Sequence, residues 1–154
     1  KQDRNGENGE IFQCYKFRSM KVNKDSDKIQ ATKNDPRKTK FGNFLRKSNL
    51  DEMPQFINVF KGEMSLVGPR PHMLKHTEEY AQVINKFMVR HFVKPGITGW
   101  AQVTGYRGET KELWQMEGRV SRDIWYIEHW TFMLDLYIIY KTVYNAVHGE
   151  KEAY

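Results

Sequence analysis

The sequence predicts an α+β fold that is mainly helical with a few short strands, and two observations lead to this prediction. From residue 40 onward, apolar residues recur at the three- and four-residue spacing of helices. Before that point the chain is polar and rich in turn-forming residues, with one alternating segment at residues 11–17 that is typical of a strand. With 154 residues, of which 39% are hydrophobic, we expect residues 1–154 to form a single domain with a sizeable core.

The first predicted helices follow the strand in chain order. Thr39 can cap a short helix, and apolar residues at positions 53–60 mark a second helix that ends at Gly62. We expect these two helices to pack on each other. The glycines and prolines of residues 62–71 cannot continue a helix, so they predict a rigid loop.

The remaining elements are longer. Residues 72–92 carry one apolar face and predict a single helix. Residues 94–108 hold four glycines and a proline, which predicts a structured loop with one short strand at residues 100–103. Residues 111–148 predict two helices. The last one is dense in Trp, Tyr and large aliphatic residues, and two interpretations stay open: a core helix, or a helix at a membrane interface.

Charge and cysteine content limit the function. The net charge is +6, and most of the positive excess lies within residues 1–50. This distribution indicates an anionic partner: nucleic acid, a phosphorylated small molecule or an anionic lipid surface. A single cysteine, Cys14, excludes an intrachain disulfide and a Cys-rich zinc site, is typical of a reducing compartment, and is expected to be a small packed residue.

Two adjacent carboxylates, Asp51 and Glu52, form the strongest site candidate. One interpretation is structural, because Ser48 and Asp51 have the spacing of a capping box and acids are favoured at helix amino ends. The other is chemical. An ionised carboxylate among cations can form an aspartyl-phosphate, and a neighbouring glutamate can hold Mg²⁺. The cations in the flanking segments include Lys16, Arg18, Arg46 and Arg70.

Other catalytic motifs are absent from the sequence. It contains no Walker loop, GxGxxG, HExxH or GxSxG motif. His72 and His76 have helical i, i+4 spacing, and we expect them on a solvated helix face. Basic residues alternate with aromatics at residues 15–18, a pattern that can also stack nucleic acid bases. The acidic final third of the chain argues against a continuous basic track for nucleic acid.

Several ordered motifs resemble those of the bacterial sugar transferases, the monotopic polyprenyl-phosphate glycosyl-1-phosphate transferases. The resemblance covers nearly the whole chain and is nearest to the forms that transfer glucose or galactose phosphate. The motifs that carry it are YKFRSM at residues 15–20, TKFGNFLRK at 39–47, LDEMPQ at 50–55, GPRP at 68–71 and KPGITGWAQ at 94–102.

The resemblance implies a two-step transfer. Asp51 would attack the sugar-bearing phosphorus of a UDP-sugar, release UMP and hold the phosphosugar covalently until a polyprenyl (undecaprenyl) phosphate accepts it. Glu52 would ligate Mg²⁺. The remaining site residues would contact the diphosphate or the lipid phosphate: Lys16, Arg18, Arg46 and Arg70.

The resemblance also implies a location and partners. It predicts a membrane-associated catalytic domain at the cytoplasmic face of the bacterial inner membrane, with UDP-sugar and polyprenyl phosphate as partners and no nucleic acid. The reaction would begin exopolysaccharide, capsule or glycan assembly. A membrane anchor is expected upstream of Lys1, and residues 104–109 are expected to form part of the sugar pocket. The alternative function is a regulator that binds UDP-sugar or lipid phosphate without turnover.

Overall fold

The computed structural model describes residues 1–22, 32, 35–108, 110 and 112–148. Helices predominate in this part of the chain, and the strands are few and short, as an α+β fold requires. The strands are β1 (Gln2–Asn5), β2 (Ile11–Cys14), β3 (Ser65–Val67) and β4 (Gly96–Thr98). The helices are α1 (Lys40–Lys47), α2 (Gln55–Phe60), α3 (Leu74–Val83), α4 (Trp100–Val103), α5 (Leu113–Glu128) and α6 (Phe132–His148).

The predicted amino-terminal strand is confirmed as β2, although it ends at Cys14. It pairs antiparallel with β1, placing Gln2 opposite Cys14. Strand β1 was not predicted, because its four residues are polar and show no apolar alternation. Cys14 is buried against Phe12 and Met64, so the prediction of a small packed residue is confirmed.

The cap of α1 is confirmed, and α2 begins later than predicted. The Thr39 hydroxyl accepts a hydrogen bond from the backbone N–H of Gly42 at 2.9 Å. The turn Leu50–Glu52, which is a 3₁₀ helix, separates α1 from α2 and makes the main contacts of α1. After Phe60 the chain turns at Gly62, whose φ of 79° favours glycine.

Two of the loop predictions are wrong. Within residues 62–71, β3 pairs in parallel with β4, with Ser65 opposite Gly96. Residues 100–103 form helix α4, and the strand lies just before them. Glycine makes this pairing possible, because a Cβ on Gly96 would lie 2.2 Å from the backbone nitrogen of Gly68.

The single helix predicted over residues 72–92 is also wrong. Helix α3 ends at Val83, Lys86 adopts a left-handed conformation with a φ of 61°, and a 3₁₀ helix follows at Phe87–Phe92. The apolar periodicity is real, but it arises because Ile84 and Phe87 enter the same buried cluster from two elements, packing against Met116 and Val120 of α5.

The two carboxy-terminal helices are confirmed as α5 and α6. Helix α5 is well buried, whereas Ile138 is the one buried residue of α6. The core interpretation of α6 therefore holds for its Ile138 face, and much of the rest of the helix exposes large apolar side chains. Within the described ranges, no helix has the length and apolarity needed to cross a bilayer.

Candidate active site

The carboxylates Asp51 and Glu52 lie in the turn Leu50–Glu52, which follows Asn49 in a left-handed conformation. The capping-box interpretation is wrong. The Ser48 hydroxyl donates back to the carbonyls of α1, at 2.9 Å to Phe44, and α2 begins only at Gln55 with no side-chain cap. Asp51 is 6% exposed. Helix capping thus does not account for a buried aspartate at this position.

Two cations hold Glu52. Lys16 Nζ lies 2.7 Å from Glu52 Oε1. The Arg70 guanidinium binds both carboxylate oxygens, with Nη1 donating to Oε2 at 3.1 Å and Nη2 donating to Oε1. Burial alone would raise the pKa of Glu52, but the charges and hydrogen bonds of Arg70 and Lys16 outweigh burial and hold that pKa well below its usual range. Glu52 is therefore ionised at neutral pH.

Asp51 has a looser environment than Glu52. Its nearest cation is Lys16, whose Nζ lies 3.9 Å from Oδ2. Burial and the Glu52 charge raise the pKa of Asp51, and the positive charges of Lys16, Arg46 and Arg70 oppose this rise. The result is a buried carboxylate that faces cations and, among the residues that the structure describes, accepts no close hydrogen bond from any of them, as a nucleophile toward a phosphate requires.

The segment that carries Lys16 is anchored to the turn and to α2. The Phe17 N–H donates to the Asp51 carbonyl at 2.9 Å. Asn58, fully buried on α2, accepts from the Tyr15 N–H at 3.0 Å and donates to the Gln13 carbonyl at 2.8 Å. We did not predict a role for Asn58. Its only sequence signal is an amide between the apolar residues Ile57 and Val59.

Arg46 and Arg18 occupy different positions relative to the carboxylates. Arg46 Nε donates to the Ser19 hydroxyl at 2.9 Å, and its charge acts on Asp51. Arg18 is exposed, and in the described part of the chain no hydrogen bond or ion pair joins it to Asp51 or Glu52. The fold therefore assembles Lys16, Arg46 and Arg70 around the carboxylates and leaves Arg18 outside this cluster.

A buried charge network lies behind Arg70 and was missed from sequence. Arg90 donates to the Arg70 carbonyl and to Asp123 of α5, and it contacts the ring of His72. The expectation of a solvated His72 is thus wrong, because the residue precedes α3 and is buried. Burial and the Arg90 charge hold the pKa of His72 well below its usual value, so the ring is neutral.

The loop before α5 reaches the other side of the turn. Arg107 Nη2 donates to the Asn49 side chain at 2.6 Å. Arg119 of α5 supports the loop by donating to the carbonyls of Tyr106 and Gly108. Of the predicted sugar-pocket segment, Arg107 therefore contacts Asn49, the residue that precedes the turn. Glu109 lies outside the described residues.

The carboxylate oxygens of Asp51 and Glu52 are the type of ligand that Mg²⁺ prefers. Across the described ranges, no group of three or more His, Cys, Asp or Glu side chains is placed to hold a metal ion. Mg²⁺ in phosphoryl-transfer sites, however, is often held by one or two carboxylates together with substrate phosphates. Asp51 and Glu52 provide two such carboxylates, although both Glu52 oxygens are engaged by cations.

The chain belongs to the bacterial sugar transferase family, whose family model matches residues 1–149. This membership agrees with the resemblance drawn from its motifs and with the charged turn described above.

Particular relatives add detail. The chain is 56% identical over 148 residues to an Escherichia coli UDP-glucose:undecaprenyl-phosphate glucose-1-phosphate transferase, covering 95% of this chain and 32% of the relative. A Xanthomonas campestris protein of the same name is 53% identical over 156 residues, covering 100% and 32%. An Aeromonas hydrophila protein named as an N-acetylgalactosaminephosphotransferase is 39% identical, covering 96% and 35%. The chain spans about a third of the length of these three relatives.

Proposed function

We propose that the protein transfers a hexose-1-phosphate from a UDP-sugar to polyprenyl phosphate, releasing UMP, through a covalent intermediate on Asp51. The observation that carries this proposal is the buried Asp51 carboxylate facing Lys16, with Arg46 and Arg70 contributing positive charge from other segments. Phosphoryl transfer depends on positioning and on neutralising charge at the phosphoryl oxygens more than on a general base. The cluster provides both.

In the first step, an Asp51 oxygen attacks the phosphorus that carries the sugar. A bond forms between that oxygen and phosphorus, and the bond from phosphorus to the bridging oxygen breaks, so that UMP leaves with the electron pair. Lys16 and Arg70 lie beside the carboxylates and would neutralise the phosphoryl oxygens as charge develops. Asp51 needs no base, since a carboxylate is already a nucleophile when ionised.

In the second step, an oxygen of the polyprenyl phosphate attacks the same phosphorus. The bond from phosphorus to Asp51 breaks, which restores the carboxylate and yields a polyprenyl-diphospho-sugar. The acceptor is itself an oxyanion at neutral pH, so no proton transfer is required. The absence of a histidine from the described contacts of Asp51 and Glu52 is consistent with this chemistry.

Glu52 would hold Mg²⁺. When bound, the ion would supply charge neutralisation at the diphosphate. Arg70 and Lys16 already neutralise Glu52 in the absence of substrate. We infer that an incoming diphosphate competes with Glu52 for these cations, which would leave carboxylate oxygens for the metal.

Glucose is the sugar that the relatives favour. The Escherichia coli, Xanthomonas campestris and Klebsiella pneumoniae proteins, at 53% to 56% identity, are all named for UDP-glucose, whereas the more distant Aeromonas hydrophila protein is named for UDP-N-acetylgalactosamine. We therefore propose UDP-glucose as the donor for this chain.

The acceptor lipid lies in a membrane, so the protein needs a surface that can contact one. Helix α6 has exposed apolar side chains that suit such a contact. Leu136, Tyr140, Val143 and Val147 lie on one side of α6, opposite the buried Ile138, and all four are exposed. We call this set the α6 stripe. Aromatic and aliphatic side chains on such a stripe are typical of helices at a membrane interface. We propose that the protein acts at the cytoplasmic face of the bacterial inner membrane.

The test is UMP release by the purified protein in detergent, with polyprenyl phosphate and UDP-glucose, UDP-galactose or UDP-N-acetylgalactosamine. Wild-type protein should release UMP fastest from UDP-glucose, and Asp51→Asn should abolish release. Asp3→Asn, which changes an exposed aspartate of β1, is the matched control and should behave as wild type. Equal release by Asp51→Asn and wild type would remove Asp51 as nucleophile, and binding of UDP-sugar without release would favour the regulator instead.

A further inference from the structure

We propose that the buried pair Arg90–Asp123 positions Arg70 for the transfer reaction, by fixing the loop that presents the Arg70 guanidinium to Glu52. This inference rests on the function proposed above. It assigns to Arg90 and Asp123 a role exerted through Arg70, with no contact of their own to the substrate.

The contacts of Arg90 connect three segments of the chain. Its Nη2 donates to the Arg70 carbonyl at 2.9 Å and to Asp123 Oδ2 at 2.6 Å. Its Nη1 lies 2.5 Å from Nδ1 of the neutral His72 ring. Arg90 and Asp123 are each 2% exposed. Because a guanidinium is planar and its donors have fixed directions, its partners in the loop at residues 70–72 and on α5 fix its orientation and hence the place of the Arg70 carbonyl.

The loop around Arg70 has few remaining degrees of freedom. Arg70 lies between Pro69 and Pro71, whose rings fix their own φ angles. On the amino-terminal side, the Gly96 N–H donates to the Pro69 carbonyl at 2.9 Å, which ties the loop to β4. On the carboxy-terminal side the bond from Arg90 holds the Arg70 carbonyl itself, and the next backbone tie is the bridge between Met73 and Arg4. Removing the bond from Arg90 loosens the loop at Arg70 while its two flanks stay fixed.

Stability alone is a weak explanation for this pair. A buried ion pair costs desolvation of both partners, and well-packed apolar residues in its place are often equally or more stabilising. Arg70, by contrast, needs an accurate position, because the two nitrogens that meet both oxygens of Glu52 must also be in place for the incoming diphosphate. A displacement of about 1 Å at a catalytic group can cost on the order of 100-fold in rate. A role in positioning Arg70 explains why the chain keeps Arg90 and Asp123 despite the desolvation cost of burying this pair.

The first test compares Arg90→Lys with wild type in UMP release from UDP-glucose with polyprenyl phosphate. Lysine keeps the charge opposite Asp123 but cannot reach Asp123, the Arg70 carbonyl and His72 together. We expect kcat to fall by roughly 10- to 100-fold, with KM for the UDP-sugar changed less than about threefold. Asp123→Asn, which keeps an oxygen acceptor for Arg90, should shift kcat in the same direction and serves if Arg90→Lys fails to fold.

The matched control is Tyr126→Phe, one turn along α5 from Asp123. It removes a partly buried hydrogen bond of α5, from the Tyr126 hydroxyl to Asp135 at 2.7 Å, without touching Arg70. Suppose that Arg90→Lys lowered kcat only by destabilising α5. Tyr126→Phe would then lower kcat by the same factor whenever the two variants lose the same thermal stability. We expect Tyr126→Phe to keep wild-type kcat.

The decisive test is a double-mutant cycle with Arg70→Lys. If Arg90 acts through Arg70, then Arg90→Lys should cost at most about threefold in a protein that already carries Arg70→Lys, because the bidentate contact is gone. Multiplication of the two effects, or wild-type kcat for Arg90→Lys, would overturn the positioning role while leaving the transferase function intact. Absence of UMP release by wild type from every donor would overturn both.

Discussion

Two regions of the molecule, the turn Leu50–Glu52 and the outer face of α6, differ from the usual arrangement of apolar residues inside and charged residues outside. Around the turn, Asp51 is buried and Glu52 is half-buried, with Glu52 held by Lys16 and Arg70. On α6 the apolar residues of the α6 stripe are exposed. Buried charge and exposed apolar surface are each costly, so both features indicate function more strongly than an ordinary core or an ordinary surface would.

The difference shows how the two parts of the proposed reaction place opposite demands on the chain. The diphosphate donor needs fixed cations in a site that excludes much of the water, because charges attract more strongly there. The lipid acceptor needs an apolar surface that stays accessible. Helix α5 contributes to the first part, since Asp123 and Arg119 extend from it toward the loops beside the turn.

The largest effect should come from removing charge at the turn. Lys16→Met takes away the cation that faces both Asp51 and Glu52. We expect UMP release to fall on the order of 10³-fold, as for the loss of a donor that stabilises charge in a transition state. Steady-state kinetics would measure this. Lys61→Met, which changes an exposed cation near Tyr15, should leave the rate within about threefold of wild type, the scale of noise in such comparisons.

If Lys16→Met and Lys61→Met lowered the rate equally, the general positive charge of the protein would matter and the arrangement at the turn would not. That result would remove the distinction between the two regions.

A smaller effect is expected from His91, which lies beside Arg90 and should make the free energy of unfolding depend on pH. Burial and the Arg90 charge lower the pKa of His91 to about 4. The unfolded chain takes up a proton near pH 6.5, whereas the folded protein does so only near pH 4, so the free energy of unfolding must fall as pH drops through this window. The contribution of His91 is at most roughly 3 kcal/mol.

Denaturant unfolding of wild type and His91→Gln between pH 7 and pH 4 would measure this contribution. The variant should lose less stability than wild type over the window, although the neutral His72 keeps part of the slope. Identical slopes would mean that His91 titrates normally and that the interior around Arg90 is more hydrated than the fold indicates.

The smallest effect should come from the apolar surface. Tyr140→Ser combined with Val143→Ser removes two side chains of the α6 stripe. Binding to vesicles of anionic phospholipid should weaken by about tenfold, as expected for a partial loss of buried apolar area at the interface. UMP release in detergent with a short-chain polyprenyl phosphate should change little. Val83→Ser, on exposed α3, is the control for a general loss of apolar surface.

Unchanged vesicle binding by the double variant, or an equal loss with Val83→Ser, would show that the α6 stripe has no special part in membrane contact. The contrast between the two regions would then rest on the turn alone.

Local signals in the sequence were sufficient for several elements. The cap at Thr39 and the end of α2 before Gly62 depend on neighbours within a few residues, and both are found where they were predicted. The errors at residues 62–71 and 94–108 share a cause. The short strand β4 and helix α4 lie in one glycine-rich stretch, where the parallel partner β3, 31 residues earlier in the pairing, decides the structure.

The candidate site was predictable to a similar extent. Asp51 and Glu52 stood out as adjacent acids among cations, and the fold brings Lys16 and Arg70 to them. Arg90 and Asp123 were not predicted, because a buried ion pair between residues 33 positions apart leaves no periodic signal in the sequence. Residues that support a site from behind are recognised only when the tertiary contacts are known.

The central claim is that Asp51 carries the phosphosugar, and intact-protein mass spectrometry tests it most directly. Wild-type protein would be incubated with UDP-glucose and Mg²⁺ in the absence of polyprenyl phosphate, then acid-quenched. A covalent intermediate on Asp51 predicts a mass increase of one hexose phosphate. Peptide mapping should locate the increase to Asp51, and addition of polyprenyl phosphate should remove it. UMP release dependent on polyprenyl phosphate, with no adduct at any time of quenching, would contradict this claim and indicate direct transfer between the two substrates.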